Sequence, residues 1–175
     1  VVKHGSLGDI AFALLAMATI RKFFNNSNID LITESKYVNF LKKSGNFNSI
    51  IEDSRKGIFN TLKIIFKIHK NKYDLIIDLQ NSKRTNIYWF LLKFFSKSKI
   101  NGSRTNCDIR YKIPLQGTES PQKGLYNQLK LLGINEISDD LEWLLTSTEK
   151  ISENKIIMLI PSVSKSGYYK QWSPQ

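Results

Sequence analysis

The sequence predicts an α/β fold with a mostly parallel sheet and flanking helices. Short β-branched runs recur along the chain, at Val1-Val2, 29–33, 49–52, 75–78 and 156–160, with a weaker one at 99–101. Between them lie stretches of helical spacing long enough to cross from one strand to the next, which is the pattern of βαβ units. The run at 75–78 (LIID) is continuous and apolar up to its acid, as a strand buried on both faces requires.

In chain order, the Val1-Val2 stub leads into Lys3-His4-Gly5-Ser6-Leu7-Gly8-Asp9 and then an apolar run that keeps Ile10, Leu14, Met17 and Phe24 on one helical face. Strand, glycine turn and helix follow one another. Asp9 therefore falls at a helix N-terminus, where free N–H groups and the dipole favour an acid. The glycines let backbone come close to a ligand beside it. Helices are predicted at 35–43, 58–70, 85–95 and 121–132. The crossover at 58–70 keeps Ile58, Leu62, Ile65 and Phe66 on one face. Residues 101–120, with Gly102, Pro114 and Gly117, read as a long loop over the sheet edge, and 146–154 as a polar linker.

With 175 residues, 41% of them hydrophobic, the chain can build one ordinary domain. No run of about 18 apolar residues predicts a spanning helix. No secretory leader is visible, and the lone Cys107 excludes an internal disulfide framework and fits a reducing compartment. The net charge of +11 points to an anionic partner, although abundant lysine, isoleucine and asparagine also fit AT-rich coding. The start without methionine and the stop at Trp172-Ser173-Pro174-Gln175 are read as marks of a piece of a longer protein.

Three clusters could carry chemistry. Gly5-Ser6-Leu7-Gly8-Asp9 lacks the third glycine of a dinucleotide fingerprint and the Lys-Ser/Thr of a P-loop. Asp9 is either a reactive carboxylate or only a helix cap. Asp78-Leu79-Gln80-Asn81-Ser82-Lys83-Arg84-Thr85 follows a buried strand, so its polar groups point to the crevice where open sheets bind ligands. Arg84 suits phosphate or carboxylate, and capping by Asn81 or Ser82 is the competing reading. Residues 160–174 follow a strand with a serine-, glycine- and lysine-rich loop suited to a diphosphate, or to nothing beyond the surface. Gly102-Ser103-Arg104 adds a cation. His4 and His69 read as structural, no spacing resembles a metal site, and Cys107 has no obvious histidine partner. The helices at 58–72 and 85–99 mix lysines with Phe59, Phe66, Tyr88, Trp89, Phe90, Phe94 and Phe95. A core role for most of these aromatics is preferred over an anionic membrane surface.

Taken together, the three clusters resemble glycosyltransferase family 9, the heptosyltransferases of lipopolysaccharide assembly. The matching residues are Lys3 with Gly8-Asp9, then Asp78-Leu79-Gln80 with Ser82-Lys83-Arg84-Thr85, then Pro161-Ser162-Val163-Ser164 with Lys170-Gln171-Trp172-Ser173-Pro174. The resemblance implies a GT-B architecture of two Rossmann-like domains, with 1–148 as the acceptor-side domain and 149–175 as linker and opening of a nucleotide-sugar domain. It implies inverting, metal-independent transfer without a cofactor. An ADP-heptose-like donor would be used on a phosphorylated lipid A–Kdo or oligosaccharide acceptor, in the cytoplasm at the inner membrane. Asp9 matches the general base. Lys170, Ser162 and Ser164 match the donor-phosphate loop. Lys3, Ser6, Gly8, Gln80, Arg84 and Arg104 fall on the acceptor side. Ser162 stands where the family has glycine, and an extra serine separates Trp172 from Pro174. Without the rest of the second domain the chain is expected to be inactive. A nucleic-acid-binding module explains the charge but not Asp9 and lacks an RNA- or DNA-binding signature. Another GT-B enzyme, such as an epimerase, is a further alternative.

Overall fold

Backbone hydrogen bonds on both sides of Val2 make the N-terminal segment the middle of a parallel sheet. The computed structural model describes residues 1–115 and 118–145. Val2 N–H donates to Ile77 O (2.9 Å), and Leu79 N–H donates to Val2 O (3.0 Å). On the other side Lys3 N–H reaches Ile32 O (3.0 Å) and Ile32 N–H reaches Val1 O (2.9 Å). Residues 1–3 thereby join β1 (Asp30–Thr33) and β2 (Ser49–Glu52) to β3 (Leu75–Ile77), β4 (Lys99–Gly102) and β5 (Ile109–Arg110). Every pairing among the described residues is parallel. The spatial order is β2-β1-segment 1–3-β3-β4-β5, so the order reverses beside the N-terminal segment, which is the switch point of a doubly wound sheet.

Helices α1 (Leu7–Phe23), α2 (Ser35–Lys42) and α5 (Pro121–Lys130) cover one face. Their core includes Ile10, Met17, Leu41 and Leu129, packed with Leu31 and Ile77. Helices α3 (Gly57–Asn71) and α4 (Lys83–Leu92) cover the other, where Ile64, Ile68, Trp89 and Leu92 meet Val2, Ile32, Ile76 and Ile100. Leu31 and Ile32, and likewise Ile76 and Ile77, go to opposite cores, as strand alternation demands. A 3₁₀ turn, Glu142–Leu144, lies at the end of the described region.

The expected strands are present with small boundary shifts, and the expected run at 156–160 lies outside the described residues. Three readings are corrected. The segment read as a loop over 101–120 contains β5, whose two residues are too few to leave an alternation pattern. On α3 the buried stripe is Thr61, Ile64, Ile65 and Ile68, whereas Ile58, Leu62 and Phe66 are exposed. The helix carries two overlapping apolar stripes that share Ile65, and the sheet takes the one with smaller side chains. The preference for core aromatics also fails. Tyr88 and Trp89 are fully buried, but Phe59, Phe66, Phe90, Phe94 and Phe95 are exposed. No described helix is long and apolar enough to cross a membrane.

The two buried rings keep their polar tips satisfied. Trp89 Nε1–H donates to Asp78 Oδ2 (2.8 Å), and Tyr88 O–H donates to Asp53 Oδ2 (2.7 Å). Ser82 caps α4, accepting from Thr85 N–H (3.1 Å) and donating its own N–H to Thr85 Oγ1 (3.0 Å). Ser120 caps α5 ahead of Pro121 at its first position.

Between segment 1–3 and α1, Gly5 takes φ +133°, and a Cβ there would overlap the ring of Tyr37. Strain and overpacking act together at this position. Gly5→Ala is expected to lower unfolding free energy by roughly 2–4 kcal/mol in urea titration. A change below about 0.5 kcal/mol, the scatter of neutral surface changes, would show that the turn relaxes without cost.

Candidate functional site

The carboxyl edge of the sheet gathers the polar residues. Segment 1–3 ends in Lys3, whose side chain is buried and whose Nζ donates to Leu79 O (3.1 Å). Burial pushes the Lys3 ammonium below its usual range, against the opposing pull of Asp9 and Asp78. The glycine turn is fastened from β3. Gln80 Oε1 accepts from His4 N–H (3.0 Å) and Gly5 N–H (3.4 Å). Ser6 then ends the turn, and Asp9 Oδ2 accepts from Ser6 N–H (3.0 Å) and Ser6 O–H (3.1 Å). Asp9 is therefore a helix-start residue with a solvent-exposed carboxylate.

Behind the turn lies a buried polar lattice. Asp78 Oδ1 accepts from Gln80 N–H and Asn81 N–H, both at 2.9 Å, while Oδ2 holds Trp89. Asn81, at φ +50°, donates from Nδ2 to Gln128 Oε1 (2.7 Å) and accepts Ser103 N–H at Oδ1 (2.6 Å). Gln128 Nε2 donates to Asp78 O (3.1 Å) and Asn101 Oδ1 (2.9 Å). Gly102 belongs here because a Cβ would come within 2.7 Å of Cys107 Sγ. Burial pushes the Cys107 thiol up to about 11, with Asp78 adding to the effect, so it is a poor nucleophile.

A second lattice supports the turn from the side of β2. His4 and Asp53 are both fully buried, with His4 Nε2 2.9 Å from Asp53 Oδ2 in a contact not aligned as an N–H···O bond. Arg55 N–H donates to Asp53 Oδ1 (2.8 Å). Burial alone would raise the Asp53 carboxyl. The His4 ring, the Tyr88 hydroxyl and Arg55 N–H outweigh it and hold the acid well below its usual range. Tyr88 is pushed up to about 12 by burial and by Asp53. Arg84 closes the chain, with Nε on Tyr88 Oη (2.6 Å) and a terminal nitrogen on Thr61 Oγ1 (3.0 Å).

A cavity of about 330 Å³ opens beside Asp9, between α1, the end of β3 and the segment leading to α5. Lys3, Asp9 and Phe12 line one part, and Tyr111, Ile113 and Glu119 another. Tyr111 O–H donates to Glu119 Oε2 (2.7 Å). A larger cavity of about 670 Å³ lies at the amino edge, beside Val1, Asp30 and Tyr73. It holds none of the predicted site residues, and open α/β sheets bind at the carboxyl ends of their strands.

Of the predicted residues, Lys3 and Asp9 line the smaller cavity. Ser6 and Gln80 position the turn. Gly8 has open space where a Cβ would be. Arg84 turns to Tyr88, and Arg104 donates from Nε to Asn81 O, so neither lines that cavity. Lys170, Ser162 and Ser164 lie outside the described residues. Tyr111 and Glu119 were hidden in a stretch read as loop, with no motif to mark them.

No protein-family model and no curated protein matches the chain. Among solved structures it is similar to a glycosyl transferase family 9 protein from Veillonella parvula, with TM-score 0.64 and 19% sequence identity. The match covers 77% of this chain and 41% of that one. The two share a fold. This chain therefore has the α/β architecture of that protein and spans less than half of its length.

The depressed Asp53 acid makes a pH prediction. Its ordinary value is 3.8 and its folded value is lower, so its contribution is fully present above the unfolded value and is lost as pH falls toward the folded one. Asp53→Asn is expected to cost roughly 1–3 kcal/mol at neutral pH. It should also flatten the fall in the urea midpoint between about pH 5 and pH 3. Parallel pH curves for both proteins would count against the Asp53 lattice.

Proposed function

We propose that the chain is the acceptor-side part of a glycosyltransferase, with Asp9 as general base. The observation that carries this reading is the pairing of an exposed carboxylate, Asp9, with a buried cation, Lys3, on one cavity at the switch point. A carboxylate there can take a proton from an acceptor hydroxyl held in the cavity. The hydroxyl oxygen then bonds to the anomeric carbon as the bond to the donor's diphosphate breaks. One in-line displacement of this kind inverts the sugar and needs one base. Lys3 stabilises negative charge beside Asp9, and its Leu79 contact fixes its position.

Support comes from three motifs in the order the family resemblance requires and from the fold shared with a glycosyl transferase. In this reading 1–148 is the acceptor-side domain and 149–175 opens a nucleotide-sugar domain. Lys170, Ser162 and Ser164 bind the donor diphosphate. The donor is an ADP-heptose-like sugar and the acceptor a phosphorylated lipid or oligosaccharide at the cytoplasmic side of the inner membrane. Gln80 and Ser6 are positioning residues, since they hold the turn and the carboxylate in place.

Asp9→Asn separates base from cap, because an Asn oxygen still accepts from Ser6. In the intact protein, with ADP-heptose and lipid A–Kdo, the variant should lose roughly 100-fold or more in turnover. Its melting should stay within about 1 kcal/mol of wild type. Turnover within threefold of wild type would reduce Asp9 to a helix cap.

A further inference from the structure

We propose that the outer face of α3 and α4 is a docking surface for an anionic lipid bilayer. The inference stands on this surface alone and requires none of the transfer chemistry. Phe59 is 85% exposed, Phe94 71%, Ile58 69% and Phe66 66%, with Phe90 and Phe95 also exposed. The patch continues from one helix to the other. His69 of α3 stacks edge-on with Phe95 at 5.5 Å, and Phe90 packs on Phe94 at 5.3 Å. Large apolar side chains grouped in this way on a soluble surface mark an interaction site.

The charge around the patch has one sign. Between Asp53 and Asp74 the chain has six basic residues and no acid, and between Asp78 and Asp108 another six and no acid. Three of these twelve, Arg55, Arg84 and Arg104, are turned to partners within the fold, Arg55 to Glu34 at 2.7 Å. Lys63, Lys67, Lys70, Lys93 and Lys97 are exposed, and none forms a salt bridge among the described residues.

The partner must therefore be apolar and anionic together. A second copy would set lysines against lysines, which repels. A bilayer with acidic headgroups offers both properties. The phenylalanines and Ile58 enter the acyl boundary, and the lysine stems reach along them to place their ammonium groups among the phosphates. α3 and α4 both begin at the carboxyl edge of the sheet, so Ile58 and Phe59 lie toward the same edge as the Asp9 cavity.

The test is sedimentation of the intact protein with phosphatidylcholine vesicles, with and without phosphatidylglycerol. Wild type should pellet with the anionic vesicles and be released by salt. F59S/F66S/F94S should weaken binding roughly tenfold or more with an unchanged circular dichroism spectrum, since all three side chains are exposed. K63E/K67E gives a second variant that reverses charge without touching the rings, and it should weaken binding to anionic vesicles severalfold. The proposal is overturned if wild type stays in the supernatant, or if both variants bind as wild type does. It is equally overturned if light scattering finds a dimer that F59S/F66S/F94S splits, or if an oligonucleotide outcompetes the vesicles through these residues. Vesicle binding is read without donor or acceptor, so its failure leaves the transfer reading standing.

Discussion

The backbone pairing of Val2 is the constraint on which the rest of the structure depends. Without it, β1–β2 and β3–β4–β5 are two separate sheets. With it they become one, and the strand order reverses at its middle. Each hydrogen bond contributes only about 1 kcal/mol net. The larger consequence is topological. The chain leaves the sheet at Lys3 between two strands whose crossovers go to opposite faces, so a crevice must open there. Gly5 and Asp9 are at that crevice because they are the next residues along the chain.

Three aspartates at or near this edge serve different ends, and environment decides which. Asp53 and Asp78 are fully buried, and their oxygens are taken by backbone N–H groups and by the tips of Tyr88 and Trp89. Removing any one partner strands a buried polar group, which costs about 1–3 kcal/mol. These acids hold strand ends in place and, being fully buried, are out of a substrate's reach. Asp9 is exposed, and its partner is Ser6 of the same turn. Proton transfer needs an acid that a substrate can reach, and the two lattices keep the exposed one steady. A rigid base on a rigid turn loses little in orientation when the acceptor binds.

How much of this was legible in the sequence follows from the length and redundancy of each signal. β2 matches its expected run at both ends, and α1 through α5 fall within a few residues of their expected positions, because strand runs and helix-length stretches alternate along the chain and each bounds the next. β5 left no trace, since two residues cannot show alternation. The face of α3 was misread because apolar residues occupy more than one stripe, and only the packed sheet chooses between them. In the site, Lys3 and Asp9 were legible because a glycine turn between strand and helix fixes where they must lie. Arg84 was placed at the right strand end, but its reach back to Tyr88 was not foreseen, because it depends on a buried tyrosine that periodicity alone does not locate. Tyr111 and Glu119 come to the cavity through a tertiary path with no local pattern.

The net charge also reads differently once it has a place in the fold. A chain rich in lysine, isoleucine and asparagine acquires lysines everywhere, so the total of +11 says little by itself. Composition of that kind does not explain why large aromatic side chains stand in solvent beside the lysines of one face. Among α1 to α5 only α1 carries an acid, Asp9, and α2 to α5 carry none; what sets the α3–α4 face apart is the group of large apolar side chains exposed beside its lysines, with Phe59, Phe66 and Phe94 each more than 60% exposed. The two faces of one sheet therefore differ in kind. The α1–α2–α5 face borders the cavity with Asp9 and Lys3, while the α3–α4 face keeps its outer aromatics and lysines in solvent. Core packing does not require that difference, because the sheet-facing stripe of α3 is filled by Ile64, Ile65 and Ile68 without any of the exposed rings. The exposed rings of this face are therefore side chains that the core does not use, and their grouping beside lysines is what the docking proposal rests on.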